Sequence, residues 1–201
     1  MDHFHVLLAA TGSVASIKLP EIIRKLVSGE TETILEVRVV VTKTVSEFVS
    51  HEALLEAGAA QVYCDENEWA QWHTAHTVLH VDLRRWADVL LIAPLDANTM
   101  AKLSGGLCDN LLTCVARAWD MARPVIFCPA MNTHMWTHPL TSKHVQVLTD
   151  ELKYLHVPPI AKRLACGDVG VGAMASVDTI VEYTRQQVET YGSEARKRIA
   201  E

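Results

Sequence analysis

What most constrains this chain is a recurrence. Short apolar runs each stop at a small or hydroxyl-bearing cluster, then give way to apolar residues at helical spacing. Phe4 to Ala10 breaks at Thr11-Gly12-Ser13, and Val14, Ile17, Ile22, Ile23, Leu26 and Val27 then mark one face of a helix over 15–28. Pro20 requires that helix to start late or kink. Glu36 to Thr42 runs into Lys43-Thr44-Val45-Ser46 and a helix over 46–55. Val62 to Cys64 reads as a short strand and Val81 to Ala87 as an amphipathic helix. Asp88 to Ala93 ends in Pro94-Leu95-Asp96-Ala97-Asn98-Thr99, and Pro124 to Cys128 ends in Pro129-Ala130-Met131-Asn132. Five such alternations predict an α/β fold of three layers, a parallel sheet with helices on both faces. The rest follows the same grammar. Asp109-Asn110 caps a helix over 111–119, a helix covers 141–152, a strand covers 154–157, and a last helix covers 178–191. Residues 1–191 read as one domain and 192–201 as a frayed, charged tail.

In a parallel sheet, ligands bind at the carboxyl edge of the strands. Hydroxyls, amides and glycine crowd that edge here four times. At Thr42 and Thr44 they suit a phosphate or a polyol, or else cap the next helix. Gly12-Ser13 is a tight turn before a helix N-terminus, which offers free N–H groups to an anion, but the further glycines of the dinucleotide fingerprint are missing. Asn132 is either the cap of the next helix or a ligand group.

The 201 residues carry a formal charge of −6, so nothing here resembles the basic stripe of a nucleic-acid binder. Apolar runs fall short of the roughly 18 residues a membrane span needs, and the start lacks a basic leader, so a cytoplasmic protein is expected. Five cysteines, Cys128 among them in an apolar strand, suit free thiols rather than a disulfide framework. His73/His76 and His134/His138 have metal-like spacing but no carboxylate or thiolate at ligand spacing, and no metal is expected. From Ala165 to Met174 three glycines fall within six residues, which reads as a mobile flap or a tight ligand loop.

Five segments occur in the order found in one family. They are Gly12-Ser-Val-Ala15, Ala93-Pro-Leu-Asp-Ala-Asn-Thr99, Gly106-Leu-Cys-Asp-Asn-Leu-Leu-Thr113, Pro129-Ala-Met-Asn132 and Ala165-Cys-Gly-Asp168. Over residues 4 to about 185 the chain resembles the phosphopantothenoylcysteine decarboxylases. These are flavin-containing cysteine decarboxylases, a group that also holds the lantibiotic peptide decarboxylases and the halotolerance-type flavoproteins. The resemblance implies a flavodoxin-like, Rossmann-like fold that binds FMN, in a homotrimer with the flavin at subunit interfaces. It implies decarboxylation of 4′-phosphopantothenoylcysteine in coenzyme A biosynthesis. By the same resemblance, Gly12, Ser13 and Val14 meet the FMN phosphate with help from Thr42 and Thr44. Asp96, Ala97, Asn98 and Thr99 line the flavin, with Phe48 and Ala130 beside it. Many relatives have Ser where Asp96 stands, so Asp96 is expected to use its backbone or to accept a hydrogen bond. His80 would be the base and Cys166 the acid, with Asn132, Met135 and Ala165 against the substrate and Lys162 and Arg163 near its phosphate. Two rivals stand beside this reading. One is a halotolerance-type regulatory subunit that binds a protein phosphatase or a partner decarboxylase subunit. Such chains tend to have long acidic tails and can lack the His or the Cys, whereas both are present here. The other is a flavin prenyltransferase, against which Pro-Ala-Met-Asn and the Cys-Gly-Asp loop argue.

Overall fold

The computed structural model describes residues 2–28, 33–69, 78–163 and 169–200. Strands β1 (Asp2–Ala10), β2 (Thr33–Val41), β3 (Gln61–Tyr63), β4 (Val89–Leu95), β5 (Val125–Pro129) and β6 (Leu155–His156) form one sheet in the order β3-β2-β1-β4-β5-β6. All five pairings are parallel. The order reverses between β1 and β4, and a crevice opens at such a switch point.

Why the runs became strands is visible in where their side chains go. Along β1, Val6, Leu8 and Ala10 join one apolar layer while Leu7 and Ala9 join the other. β4 divides the same way, with Val89, Leu91 and Ala93 on one face and Leu90, Ile92 and Leu95 on the other. A strand buried on both faces has no polar side to show, so its sequence is continuous rather than alternating. On the first face lie α1 (Leu19–Val27), α2 (His51–Glu56) and α8 (Val177–Ala200). On the second lie α3 (Leu79–Trp86), α4 (Ala97–Gly105) and α5 (Leu111–Arg117). Each fully buried Leu or Ile contributes about 1.5–3 kcal/mol, so these two layers supply most of the driving force for folding.

Several boundaries differ from the sequence reading, each for a local reason. The helix expected over 15–28 is split. Val14–Lys18 is a 3₁₀ turn, and α1 starts at Leu19, with Pro20 in its first turn, where a missing N–H costs nothing. The helix expected over 46–55 is likewise a 3₁₀ turn, Lys43–Glu47, followed by α2, which Ser50 caps. Only Asn110 caps α5, exchanging hydrogen bonds with Thr113. Asp109 instead binds the Lys102 ammonium, which holds its carboxyl below the usual range. The segment over 141–152 is α7 (Pro139–Gln146) continued by a π-helical stretch, Val147–Glu151. No break occurs at residue 191. α8 continues helical to Ala200, and Gly192 lies buried against the Phe4 ring.

The glycine-rich segment, expected as a mobile flap or a tight ligand loop, is tightly packed where it is described. Its second half is a strand, β8 (Val169–Ala173), antiparallel to β7 (Ile160–Arg163) in a separate hairpin. A Cβ on Gly170 would lie 2.6 Å from Thr133 Oγ1, and one on Gly172 would come under 3.0 Å of the Met131 carbonyl oxygen. Gly172 also has φ of +149°, a conformation side chains disfavour. These two glycines therefore serve close approach: they let the hairpin lie directly on the segment after β5.

Candidate active site

Thr11, the residue after β1, ties the switch point together. Its hydroxyl donates to the Pro94 carbonyl at 3.0 Å and accepts the Asp96 N–H at 2.7 Å, and its own N–H reaches the same carbonyl. The ends of β1 and β4 are thus locked in register. Gly12 follows, and a Cβ there would sit 2.8 Å from Thr44 Cβ. Glycine is what lets the β1 and β2 ends touch. The Thr42 hydroxyl makes no hydrogen bond to its own turn, although Thr42 holds the cap position. Asp96 settles its own question: its carboxylate accepts the Thr99 N–H at 2.6 Å and caps α4. Its charge is spent on the helix N-terminus, where a carboxylate is favoured. Asn98 is exposed and Thr99 is buried on that first turn. Phe48 closes the turn after Thr44 and is half-buried.

Beside this edge lies a cavity of about 520 Å³, within the range of small-molecule sites. Ser13, Val14, Ala130 and Asn132 line it, together with Met131 and Gly172. Lys18 and Lys162 also reach it, and the Lys18 ammonium pairs with Glu21 at 3.4 Å. The Ala130 N–H donates to the Leu95 carbonyl and the Met131 N–H to the Gly172 carbonyl, so β4 on one side and the hairpin on the other fix this wall.

Asn132 is the cap of α6 (Thr133–Trp136): its Oδ1 accepts the Met135 N–H at 2.8 Å. The cap and ligand readings turn out to be compatible, because capping uses the oxygen and orients the amide. The two N–H bonds of Nδ2 remain for a ligand, so the cavity wall carries a neutral donor. Met135 lies on α6, 47% exposed, and does not line the cavity.

His80 is elsewhere. Expected just ahead of a helix, it is the second residue of α3, and it does not line the cavity. Its Nδ1 lies 2.5 Å from Oε1 of Glu68. Glu68 was invisible in the sequence, being one acid among the polar residues after Cys64. Thr11 was also missed, since a Thr before a Gly-Ser turn reads as loop. Ala165 and Cys166 lie outside the described residues, as does the His73/His76 pair. His138 accepts the Leu140 N–H as the cap of α7.

The residues at the strand ends fit a flavin mononucleotide. Gly12 packs the β1 end against Thr44, Thr42 offers a hydroxyl that its own turn does not use, and Ser13 and Val14 line the neighbouring cavity.

Comparison with known proteins agrees with this architecture. A family model described as Flavoprotein matches residues 1–189. The mouse phosphopantothenoylcysteine decarboxylase is 48% identical over 191 residues, covering 94% of this chain and 90% of the relative. Among solved structures, a Cys-to-Ser mutant of a PPC decarboxylase complexed with pantothenoylaminoethenethiol superposes with a TM-score of 0.85 at 48% identity. That match covers 93% of this chain and 99% of the other. The FMN binding protein AtHal3 gives a TM-score of 0.82 at 49% identity, over 92% and 97% of the two chains.

Proposed function

The chain belongs to the Flavoprotein family, and from that premise we propose that it is an FMN-dependent phosphopantothenoylcysteine decarboxylase. It converts 4′-phosphopantothenoylcysteine to 4′-phosphopantetheine in coenzyme A biosynthesis. The observation that supports this reading is Asn132, which lines the cavity with its Oδ1 held by the cap, leaving Nδ2 as a neutral donor.

The chemistry explains the choice of groups. Direct loss of CO₂ from the cysteine carboxylate would leave a carbanion with no electron sink. A thioaldehyde one carbon away provides the sink, as a keto group does in a β-keto acid. When bound, FMN supplies the oxidation of CH₂–SH to that thioaldehyde and later returns the electrons, so the cycle is redox-neutral. Gly12, Ser13 and Val14 would hold its phosphate with Thr42 and Thr44, and Asp96 to Thr99, Phe48 and Ala130 would flank the flavin.

The chain's own residues do the rest. His80 accepts the thiol proton as general base, an imidazole being the side chain best suited to proton transfer at neutral pH. Asn132 donates to the carboxylate without a countercharge. A strong ion pair would stabilise the carboxylate in the ground state and raise the barrier to its departure as CO₂. The electrons of the broken bond then reside on sulfur as an enethiolate. Cys166, as a thiol, gives the enethiolate carbon its proton. The family resemblance would set Met135, which lies outside this chain's own cavity, and Ala165 beside the substrate, and Lys162 and Arg163 near its phosphate.

The working form is a cytoplasmic homotrimer with FMN at the subunit interface. Two features support the assembly. Val14 and Ile17 leave 47% and 55% of their surface exposed on the cavity rim, apolar area suited to cover by a second copy. His80 also stands apart from its own chain's cavity, as it would if it served a neighbour's. Among the described residues no helix is long and apolar enough to cross a membrane.

A mixing experiment tests this arrangement. His80→Gln and Asn132→Asp homotrimers should each be inactive. Co-expressed, they should regain turnover, because some interfaces pair an intact His80 with an intact Asn132. Absence of recovery in verified mixed trimers would mean that both residues serve the same chain.

A further inference from the structure

Glu68 is only 6% exposed, although it lies in a polar stretch, and a buried carboxylate costs several kcal/mol unless it is paired. Its one ion pair among the described residues is with His80, and its Oε2 is buried with no hydrogen-bond partner. Among the described residues the surrounding groups offer no alternative cation. Arg84, one turn along α3 from His80, gives its Nε to the Ala118 carbonyl, and Arg85 pairs with Asp82. Asp65 accepts the Leu111 N–H. From α5 comes the thiol of Cys114, pushed up to about 11 mainly by burial, with Cys108, Glu68 and Asp109 adding to it. Among the described residues, one imidazole nitrogen is thus the partner that this buried carboxylate has.

We propose that Glu68 is a positioning residue for His80: it takes the Nδ1–H of the ring and so leaves Nε2 as the unprotonated nitrogen that faces the substrate. A ring nitrogen is fixed as donor or acceptor by what the other nitrogen bonds, and a carboxylate on Nδ1 selects the Nδ1–H tautomer. The proton then moves from the substrate S–H to Nε2. The S–H bond breaks, the N–H bond forms, and Glu68 stays ionised beside the resulting imidazolium. This inference rests on the reading of His80 as the proton acceptor.

The test uses the full chain loaded with FMN and labelled with ¹⁵N-histidine, the His80 signals being assigned by their loss in His80→Gln. In the unmodified protein Nδ1 should be the protonated nitrogen. Glu68→Met keeps the size but removes the acceptor. The ring should switch to the Nε2–H tautomer, and kcat should fall on the order of 10²- to 10⁴-fold, as when a catalytic imidazole is held in the wrong tautomer. KM and the flavin spectrum should hardly change. Glu68→Gln keeps a carbonyl acceptor but no charge, so it should retain the Nδ1–H tautomer and lose only about tenfold in kcat. An unchanged tautomer or near-normal kcat in Glu68→Met would overturn the proposal. So would parallel loss of flavin and stability in both variants with the tautomer intact. Should Glu68→Met fail to fold, Glu68→Gln decides alone, and its full kcat would be the contrary result. If His80→Gln turns over normally, the base assignment itself fails, whatever tautomer Glu68 selects.

Discussion

Replacing Gly172 with Ala puts a methyl group against a backbone carbonyl. The new Cβ would come under 3.0 Å of the Met131 oxygen and lie 3.3 Å from the Asn132 carbonyl carbon, neither of which is a side chain that can swing away. Overpacking of this kind costs about 1–3 kcal/mol. Holding a non-glycine residue at φ of +149° adds a further cost on the order of 1–3 kcal/mol. The sum, about 2–6 kcal/mol, corresponds to a fall in Tm of roughly 4–24 °C for a chain of this size. Relief would require the hairpin to lift, breaking the hydrogen bond from the Met131 N–H to the Gly172 carbonyl. Asn132 is the next residue, so kcat should drop along with stability. Gly105→Ala is the control. An added Cβ there meets only the end of the Leu107 side chain, and the position ends a helix, where Ala is tolerated. Thermal unfolding followed by circular dichroism should separate the two variants by several degrees. Unchanged Tm and turnover in Gly172→Ala would refute the idea that the hairpin is pinned to the Asn132 segment by its glycines.

Other perturbations probe the chemistry and the core. Asn132→Asp keeps an oxygen to cap α6 but sets a carboxylate against the substrate's own, so turnover should vanish while the flavin spectrum and Tm persist; retained turnover would remove Asn132 from the carboxylate site. Cys166→Ser should still oxidise and decarboxylate the substrate but stall before the final reduction, so mass spectrometry should find the oxidised, CO₂-depleted intermediate. Normal product at a normal rate would end the proton-donor assignment. His156 stacks on Phe127 with ring centroids 4.7 Å apart, and burial lowers its pKa. Unfolded, the imidazole takes up a proton below about pH 6.5, while the folded ring resists. The unfolded chain therefore binds more protons in that window, and stability falls as the pH drops through it, levelling off below the folded pKa. His156→Phe should flatten this part of the dependence in urea unfolding compared at pH about 7.5 and about 5.5. An identical pH slope in the variant would exclude His156 as its source.

The sheet was legible because strands buried on both faces must be apolar throughout, and the polar cluster at each strand's end marked the carboxyl edge. Gly12 and Asn132 could be read for the same reason. Glu68 could not, since its burial depends on α3 and α5 closing over a polar stretch, and nothing in the spacing of Asp65, Glu66 and Glu68 distinguishes them. The glycine cluster at 167, 170 and 172 is compatible with a mobile flap or a tight ligand loop, and at 170 and 172 the structure shows the tight alternative. A glycine can serve either mobility or close contact, and which of the two applies depends on a segment some 40 residues earlier in the chain. The 3₁₀ turns at Val14–Lys18 and Lys43–Glu47 escaped because three-residue and four-residue spacings are alike over one turn.

The most direct measurement is turnover by the chain alone. Purified without any partner, it should be yellow with bound flavin. Given 4′-phosphopantothenoylcysteine, it should release carbon dioxide and yield 4′-phosphopantetheine by mass detection, and the Asn132→Asp protein should yield none. A flavin-loaded, trimeric protein that leaves this substrate untouched would contradict the account.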